Sequence, residues 1–340
     1  MMVTVPYDGD AARWDAFVAE HPAASYTHLA GWHDVMAASL GHRPLFRVAA
    51  DPESRWAGLL PMVRVRTPLL GHYLMSMPFL NSGGPLGTAD ATLALSTWAA
   101  QEAARSRVDL LEMRNRTDVS THLRRSSRKI TVHLPLPATP SALFDSFPSK
   151  LRSQIRRSER EDFDVRIGAE ERDAFYDVFA HAMRTLGTPV LPSKFFSAIA
   201  ATFPAIVEFI VVYKGTEPVA AGCGFEWRGE FELVWAGMRR EWQRAAPNML
   251  LYWSCMKRAI ARGAHTFDFG RCTPGSGTHA FKRQWGGVDV ALPWAQWSAS
   301  EVTAPPTKER PLFRAAAACW RRLPLAVANR LGPSIARCLP

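Results

Sequence analysis

The sequence predicts a mixed α/β (α+β) protein that contains two tandem copies of one α/β unit. Its 340 residues exceed the usual size of a single domain, and a 47% hydrophobic composition can supply a sizeable core. The same order of predicted elements also occurs twice, with corresponding elements about 160 residues apart. We therefore expect an N-terminal domain over 1–145, a C-terminal domain over 146–298 and a basic amphipathic extension over 299–340.

The first copy opens with a helical stretch at about 10–39. Three β-like runs follow and predict a three-stranded meander. A glycine-rich loop, NSGGPLG, leads into an alanine-rich helix and one more short strand. The predicted strands and helix after the first stretch lie at 45–50, 56–65, 73–80, 88–106 and 108–113.

The second copy repeats this order from a helical stretch at about 170–201. Lys214-Gly215 and Arg228-Gly229 predict the two hairpin turns of its meander. The alternative is an unrelated pair of α+β domains. The predicted strands are 208–213, 219–225, 231–238 and 265–270, and the predicted crossing helix is 248–262.

Composition excludes several classes of protein. Five cysteines without a CxxC argue against a disulfide framework or a zinc finger, and no regular metal-ligand spacing is present. The N-terminus lacks the features of a secretory signal, and prolines and glycines interrupt the longest uncharged stretch, 67–89, so a cytoplasmic protein is expected. The net charge of +10 comes mainly from 299–340 and the helix at 150–160, which does not indicate a general nucleic-acid binder.

The densest group of motifs lies between Trp235 and Trp285 and includes FDFGRCTPGSGTHAFKRQWG. With the recurring element order, this run resembles the FemAB-like, GNAT-fold aminoacyl- and acyltransferases, especially the branch associated with exosortase and exopolysaccharide loci. The segments SYTHLAGWHDVMAASLGHRP, LRSQIRRSERE and MRTLGTPVLPSKFF extend the resemblance over nearly the whole chain. It implies two tandem GNAT-like (acyl-CoA N-acyltransferase) domains and the transfer of an acyl or aminoacyl group to an amine.

Two residues within this run are the candidate catalytic residues. Asp268 lies at the C-terminal end of the predicted strand 265–270, where it can orient an attacking amine or form a structural ion pair with Arg271. Lys282 follows Phe281 and matches the Phe-Lys context in which the resembled family has a lysine that stabilises charge during acyl transfer. The alternative for Lys282 is a solvated surface lysine.

The loop RREWQRAAPN precedes the crossing helix, at the place where GNAT enzymes carry Q/R-x-x-G-x-G/A to hold the pyrophosphate of coenzyme A. No glycine is present here. Arg239, Arg240 and Arg244 can bind phosphate through their side chains, and Asn248 begins the helix. The donor is therefore left open between acyl-CoA and aminoacyl-tRNA, and either is a co-substrate rather than a tightly bound cofactor.

Further candidate substrate-binding residues are basic or aromatic, and Arg271 is one of them. Arg152 and Arg156 lie on one face of the helix at 150–160 and can hold a pyrophosphate or the backbone of tRNA, or simply form a solvated surface. Aromatic rings can stack on a sugar or a base, although most such rings pack in cores or at their rims. These aromatic candidates are Trp235, Tyr252, Phe281 and Trp285.

Two hypotheses follow for the whole protein. The first is a cytoplasmic N-acyl- or aminoacyltransferase that acts on an amine of a cell-envelope, peptidoglycan or exopolysaccharide saccharide, or on its lipid-linked precursor. The second is a non-catalytic GNAT-like scaffold that binds a membrane surface or tRNA. The tail at 310–340 contains six arginines and no acid, so it either lies on an anionic membrane or packs on the first domain.

Overall fold

The computed structural model describes residues 2–67, 71–126, 128–299 and 311–339. The start of the predicted extension, 300–310, lies outside these residues. The chain divides into two compact units, and each unit contains one β-sheet. The first unit comprises Met1–Lys129, Ala291–Thr307 and Arg337–Pro340, and the second comprises Ile130–Val290 and Lys308–Ala336.

The described residues form eleven α-helices and fifteen β-strands. The helices are α1 Ala11–Glu20, α2 Trp32–Asp34, α3 Ala89–Arg105, α4 Pro140–Ser146, α5 Ser149–Glu159, α6 Arg172–Leu186, α7 Ser193–Thr202, α8 Pro247–Ala261, α9 Gly277–Arg283, α10 Pro311–Arg322 and α11 Leu325–Ala336. The strands are β1 Val3–Pro6, β2 Arg43–Ala50, β3 Trp56–Thr67, β4 Gly71–Ser76, β5 Leu86–Gly87, β6 Leu110–Met113, β7 Arg124–Ser126, β8 Ile130–Pro135, β9 Phe163–Ile167, β10 Val207–Lys214, β11 Glu217–Trp227, β12 Glu230–Met238, β13 Thr266–Asp268, β14 Val288–Ala291 and β15 Trp294–Ser298.

Both sheets contain the predicted meander followed by a crossover strand. In the first sheet β2, β3 and β4 are antiparallel neighbours, and β6 then pairs parallel to β4 after α3. In the second sheet β10, β11 and β12 are antiparallel, and β13 pairs parallel to β12 after α8. The prediction of two tandem α/β units is confirmed, and every predicted meander strand is present.

The sheet of the second unit is covered on both faces, which explains why β10 is buried along nearly its whole length. On one face α4, α5 and α8 pack on residues such as Ile210, Phe231 and Phe267. On the other face Phe175 of α6 and Phe196 of α7 contact each other at 5.1 Å between ring centroids. Packing on both faces of the sheet thus holds the meander strands and the crossover strand β13 in place.

The two sheets exchange one strand each, which the sequence did not indicate. Strand β8 directly follows the first unit in the chain but pairs with β13 in the second sheet. Strand β15 follows the second unit but pairs with β6 in the first sheet. The structural units therefore begin and end elsewhere than the predicted domains 1–145 and 146–298, because these strands complete the opposite sheet.

The C-terminal helices belong to the second unit, whereas one sequence interpretation packed the tail on the first domain. Both α10 and α11 contact α6. The small residues Ala328, Gly332 and Ala336 form the buried side of α11, and an added Cβ at Gly332 would lie 3.1 Å from the backbone nitrogen of Val190. Within the described ranges, no helix is both long enough and apolar enough to cross a membrane.

The strand exchange predicts which fragment of the chain can fold. Fragment 130–290 retains β8, which buries Val132 and Leu134 and covers the edge of β13, whereas fragment 146–290 lacks it. We expect only the longer fragment to give a cooperative thermal transition, because the shorter one loses core side chains and exposes an unpaired strand edge. Circular dichroism melting of both fragments checks this. A cooperative transition at the same temperature in fragment 146–290 would contradict it.

Candidate active site

The candidate active site lies where β13 separates from β12. The parallel ladder between these strands ends at the pair Glu232 and Asp268, while β12 continues to Met238. Strand β13 ends at this point, and the chain turns through Gly270 and Arg271 towards α9. Beyond the pair Glu232 and Asp268, the backbone that follows β13 is hydrogen-bonded to β8 and no longer pairs with β12.

Asp268 is 6% exposed and accepts three hydrogen bonds. Its Oδ1 accepts from the Thr131 hydroxyl and, at 2.7 Å, from the Gly270 N–H, and its Oδ2 lies 3.2 Å from His133 Nε2. Burial alone raises the pKa of Asp268, but the bonds and charge from His133, Thr131 and Gly270 outweigh burial and hold its pKa below the usual range. The carboxylate is therefore ionised at neutral pH.

Both backbone polar groups of Gly270 are hydrogen-bonded to predicted catalytic residues. Its φ of +71° lies in the left-handed region, which glycine adopts without a steric penalty. Its N–H donates to Asp268, and its carbonyl accepts from Lys282 Nζ at 2.6 Å. The two predicted catalytic residues thus converge on one turn.

Lys282 lies on the short helix α9 and is 4% exposed, so it is not a solvated surface lysine. Its Nζ donates to the carbonyls of Gly270 and, at 3.0 Å, of Arg271. Burial lowers the pKa of Lys282, against the opposing effect of Cys272 and of the carboxylates of Asp268 and Glu232. An ammonium group has three N–H donors, and the third has no acceptor among the residues that the structure describes.

Three predicted aromatic residues pack together beside Lys282. Tyr252 stacks on Phe269 at 5.8 Å between centroids and meets Phe281 edge-on at 4.9 Å. Trp285 is fully buried against Tyr252, and burial raises the pKa of the Tyr252 phenol well above its usual range. Phe281 directly precedes Lys282 and Trp285 follows it by three residues, so this aromatic cluster adjoins the lysine in the chain.

Trp235 has a different environment from the other aromatic candidates. It is 8% exposed and packs edge-on against Phe195, Phe196 and Phe225, at 5.8, 5.2 and 6.2 Å between centroids. These rings belong to the core between the second sheet and α7. Packing accounts for Trp235, and its predicted role in substrate binding has no support in this geometry.

The loop before α8 keeps the shape of a glycine turn without a glycine. Ala246 has φ +53° and ψ +48°, and its carbonyl accepts from the Ser158 hydroxyl at 3.1 Å. Pro247 at the first helical position removes one backbone N–H from the helix start, where half-buried Asn248 follows. The start of α8 therefore offers fewer backbone N–H groups to an anion than a helix start without proline does.

The arginines of this loop differ in availability. Arg239 is engaged by two carboxylates, at 2.6 Å from Asp177 Oδ2 and 3.4 Å from Glu217 Oε1. Arg244 is exposed and lines a cavity of about 600 Å³ with Arg240, Glu241 and Gln243. Arg244, rather than Arg239, is thus placed to meet a phosphate.

The predicted basic helix is α5, and it adjoins this loop. Arg157 Nη2 donates to the Arg244 carbonyl at 3.3 Å. Arg152 and Arg156 line a separate cavity of about 550 Å³, and the Arg156 guanidinium lies over the Phe144 ring. The other residues that line it are Ser149, Ser153, Glu159 and Arg160.

Sequence reasoning missed Thr131 and His133, the partners of Asp268. Both lie on β8, in a stretch to which no element was assigned, although ITVHLPL alternates apolar and polar residues as a half-buried strand does. His133 is directly opposite Asp268 in the antiparallel ladder. The alternation was a usable signal for the strand, but not for its partner.

The first unit contains an equivalent polar group that sequence reasoning also missed. Glu112 occupies the same ladder position on β6 as Asp268 on β13, and Gln296 of β15 donates to it from the opposite strand at 2.7 Å. Arg114, 1% exposed, donates to Glu112 at 2.9 Å and to the carbonyls of Met77 and Leu80. In this unit the cation is paired directly with the carboxylate at the strand end.

Comparisons with known proteins bear on the fold and the chemistry. The family model described as "Acetyltransferase (GNAT) domain" matches residues 146–283. The search of curated proteins found no match.

Three solved structures share the fold at low sequence identity. FemX has a TM-score of 0.66 and 14% identity, with 93% of this chain and 100% of FemX covered. The C-terminal domain (DUF2156) of a putative lysylphosphatidylglycerol synthetase from Agrobacterium fabrum has a TM-score of 0.55 and 11% identity, covering 85% and 92%. A tandem GNAT protein from the clavulanic acid biosynthesis pathway has a TM-score of 0.52 and 12% identity, covering 88% and 99%. The predicted tandem GNAT-like fold is confirmed.

The hydrogen bonds of Asp268 predict a pH-dependent effect on stability. Asp268→Asn should lower the free energy of unfolding at neutral pH by about 1–3 kcal/mol, since a charged acceptor is lost from a buried network. Because the pKa of Asp268 is lower when folded, its stabilisation is present above the unfolded-state pKa and disappears as the pH falls through the folded-state pKa.

Urea unfolding of both proteins at several pH values measures this difference. We expect the gap between wild type and Asp268→Asn to be full at neutral pH and to shrink below about pH 4. Asp164→Asn is a matched control on an exposed carboxylate. A gap that stays constant down to acidic pH would show that the charge of Asp268 does not stabilise the fold.

Proposed function

We propose that the second unit transfers an acyl or aminoacyl group to an amine, with Lys282 as the catalytic cation. The chain is an acyltransferase that carries a GNAT acetyltransferase domain and has a FemAB-like fold. The observation that carries this proposal is the third N–H of the Lys282 ammonium. Two donors fix the side chain on the carbonyls of Gly270 and Arg271, and the third has no acceptor among the described residues.

The proposed step is attack of the acceptor amine on the carbonyl carbon of the donor. The C–N bond forms and the carbonyl oxygen gains negative charge. As the carbonyl re-forms, the bond to the donor's sulfur or ribose oxygen breaks, and the proton lost by the amine ends on that leaving group as a thiol or hydroxyl. A preorganised cation lowers the barrier because it stabilises the oxygen charge that develops in the transition state. Asp268 acts here as a positioning residue, since it holds the Gly270 turn to which Lys282 is bonded.

The donor is proposed to be held through its phosphates by arginine side chains. Exposed Arg244 and Arg240 line the cavity at the start of α8, and Arg152 and Arg156 line the cavity on α5. Both acyl-CoA and aminoacyl-tRNA present phosphates to such groups. Native mass spectrometry of the purified protein, searching for bound CoA or charged tRNA, distinguishes the two.

For the acceptor we propose an amine on a cell-envelope or exopolysaccharide saccharide, or on its lipid-linked precursor. The resemblance to the FemAB-like branch supports a saccharide. A lipid-linked acceptor also requires access to a membrane surface, and α11 provides a reason to propose such contact. A transferase assay with amino-sugar acceptors against simple primary amines tests the preference.

Membrane contact at the inner membrane is proposed from the exposed side of α11. Val327, Leu331 and Ile335 are 39, 47 and 37% exposed and are spaced by four residues, so they form one apolar ridge. Residues 311–339 contain five arginines and no acidic residue. An apolar ridge accompanied by positive charge is typical of helices that lie in the interface of anionic bilayers.

The lysine predicts a large loss of activity on substitution. Lys282→Met should lower turnover by about 10²- to 10³-fold, the usual effect of losing one oxyanion donor. Lys282→Arg should restore only part of the activity, because the planar guanidinium delivers its charge to a different point. Turnover is measured by release of CoA from acetyl-CoA, or of tRNA from aminoacyl-tRNA, in the presence of the acceptor.

Lys194→Met is the matched control, since Lys194 is exposed on α7. A melting curve for Lys282→Met separates lost catalysis from lost folding, because Gly270 and Arg271 lose a donor in this variant. Near-normal turnover in folded Lys282→Met would move the catalytic cation elsewhere.

The apolar ridge predicts a point variant that loses membrane binding. Leu331→Glu should reduce sedimentation with vesicles of phosphatidylglycerol, since it removes apolar area and adds a negative charge. Leu186→Glu is the control, because Leu186 is 61% exposed at the end of α6 and outside the ridge. Equal sedimentation of both variants and wild type would contradict membrane contact through α11, and added salt should weaken wild-type binding.

A further inference from the structure

A third basic cavity lies on the second unit, and Arg240 is the one residue in its lining that the sequence predicts to bind phosphate. Its volume is about 430 Å³. Three structural elements contribute: the C-terminal turn of α6, the short 3₁₀ turn Arg240–Trp242, and α10. The lining residues are His181, Arg184, Thr185, Arg240, Glu241 and Arg321.

The position of α10 against this cavity is fixed by close contacts with the end of α6. Arg184 Nε donates to the Leu323 carbonyl at 2.9 Å. Gly187 ends α6 with φ +74°, and an added Cβ there would lie only 2.6 Å from the Ala317 carbonyl oxygen. The absence of a side chain at Gly187 thus allows the tail helix to approach, and Arg321 reaches the cavity as a result.

Charge in the cavity is strongly biased. Three arginines line it, and the only acidic residue in the lining is Glu241, whose Oε1 is 3.9 Å from His181 Nε2. Arg321 and Arg240 are exposed, so their guanidinium groups can reorient towards a ligand. Guanidinium groups recognise phosphate oxygens with two parallel N–H donors each, and a concave surface lets several act on one group.

Arg240 and Glu241 also line the neighbouring cavity at the start of α8, beside Arg244. The two cavities are therefore adjacent, and one extended phosphorylated molecule can occupy both. The C-terminal helices, which lie outside the matched family domain at 146–283, supply one of the basic side chains.

We propose that the cavity between α6, the 240–242 turn and α10 binds a phosphate or diphosphate group of a transferase substrate, with Arg321 of the C-terminal tail completing the site. The tail then has a role in substrate binding. Its assignment to a transferase substrate rests on the proposed function, but phosphate binding itself does not require Lys282. Lys282→Met should therefore lose turnover and keep diphosphate binding, so the two proposals can fail separately.

Isothermal titration of the full chain with inorganic pyrophosphate at low salt tests the site. Arg321→Gln should weaken binding by about three- to fivefold, the effect of one partly solvent-screened charge pair. Arg322→Gln is the matched control, because it removes the same charge from the adjacent exposed residue, which does not line the cavity. Glu241→Gln should tighten binding by a similar factor, since it removes the opposing charge, and a purely structural role of these residues would not produce that gain.

Coenzyme A and farnesyl diphosphate then identify the source of the phosphate. A ligand uses the cavity if its dissociation constant rises in Arg321→Gln but not in Arg322→Gln. This result for coenzyme A assigns the cavity to the donor, and for farnesyl diphosphate it assigns the cavity to a lipid-linked acceptor. If Arg321→Gln and Arg322→Gln weaken pyrophosphate binding equally, or if neither ligand depends on Arg321, the proposal is overturned.

Discussion

The geometry of the candidate active site depends on the backbone of Gly270. Its left-handed conformation directs the N–H to Asp268 and the carbonyl to Lys282, so one residue connects the carboxylate of the crossover strand with the ammonium of α9. A side chain at this position would disfavour the conformation, and loss of either partner would leave a buried backbone group unpaired. The cation can be preorganised for catalysis because the turn beneath it is fixed.

The exchange of strands makes this turn depend on a distant part of the sequence. Thr131 and His133 reach Asp268 only because β8, which follows the first unit in the chain, pairs with β13 of the second sheet. In the same way Gln296 reaches Glu112 through β15. Asp268 and Glu112 thus each accept hydrogen bonds from residues that the sequence assigned to the other domain. A family domain that begins at residue 146 contains Asp268 but not its side-chain partners Thr131 and His133.

The meanders and the crossing helices could be predicted because their signals are local: short β-like runs, the turn glycines between them and the proline at the start of α8. Lys282 and Asp268 could be selected by motif, and the structure brings both to Gly270. The pairing of β8 could not be predicted, since alternation identifies a strand but carries no information on its neighbour. The packing of Trp235 against Phe196 could not be predicted either, because the sequence near a motif does not show whether an aromatic residue lines a site or fills a core.

Comparison of the two units explains why the catalytic proposal concerns the second one. In the first unit Arg114 is paired directly with Glu112, so the positive charge is neutralised where it lies. Lys282 has no carboxylate within ion-pair distance among the described residues, and carbonyl oxygens hold it instead. Burying a cation in this way is costly, and its lowered pKa reflects that cost. Within the part of the chain that the structure describes, the buried cation of the second unit thus has no neutralising carboxylate beside it, which is the condition that the proposed stabilisation of a developing oxyanion requires.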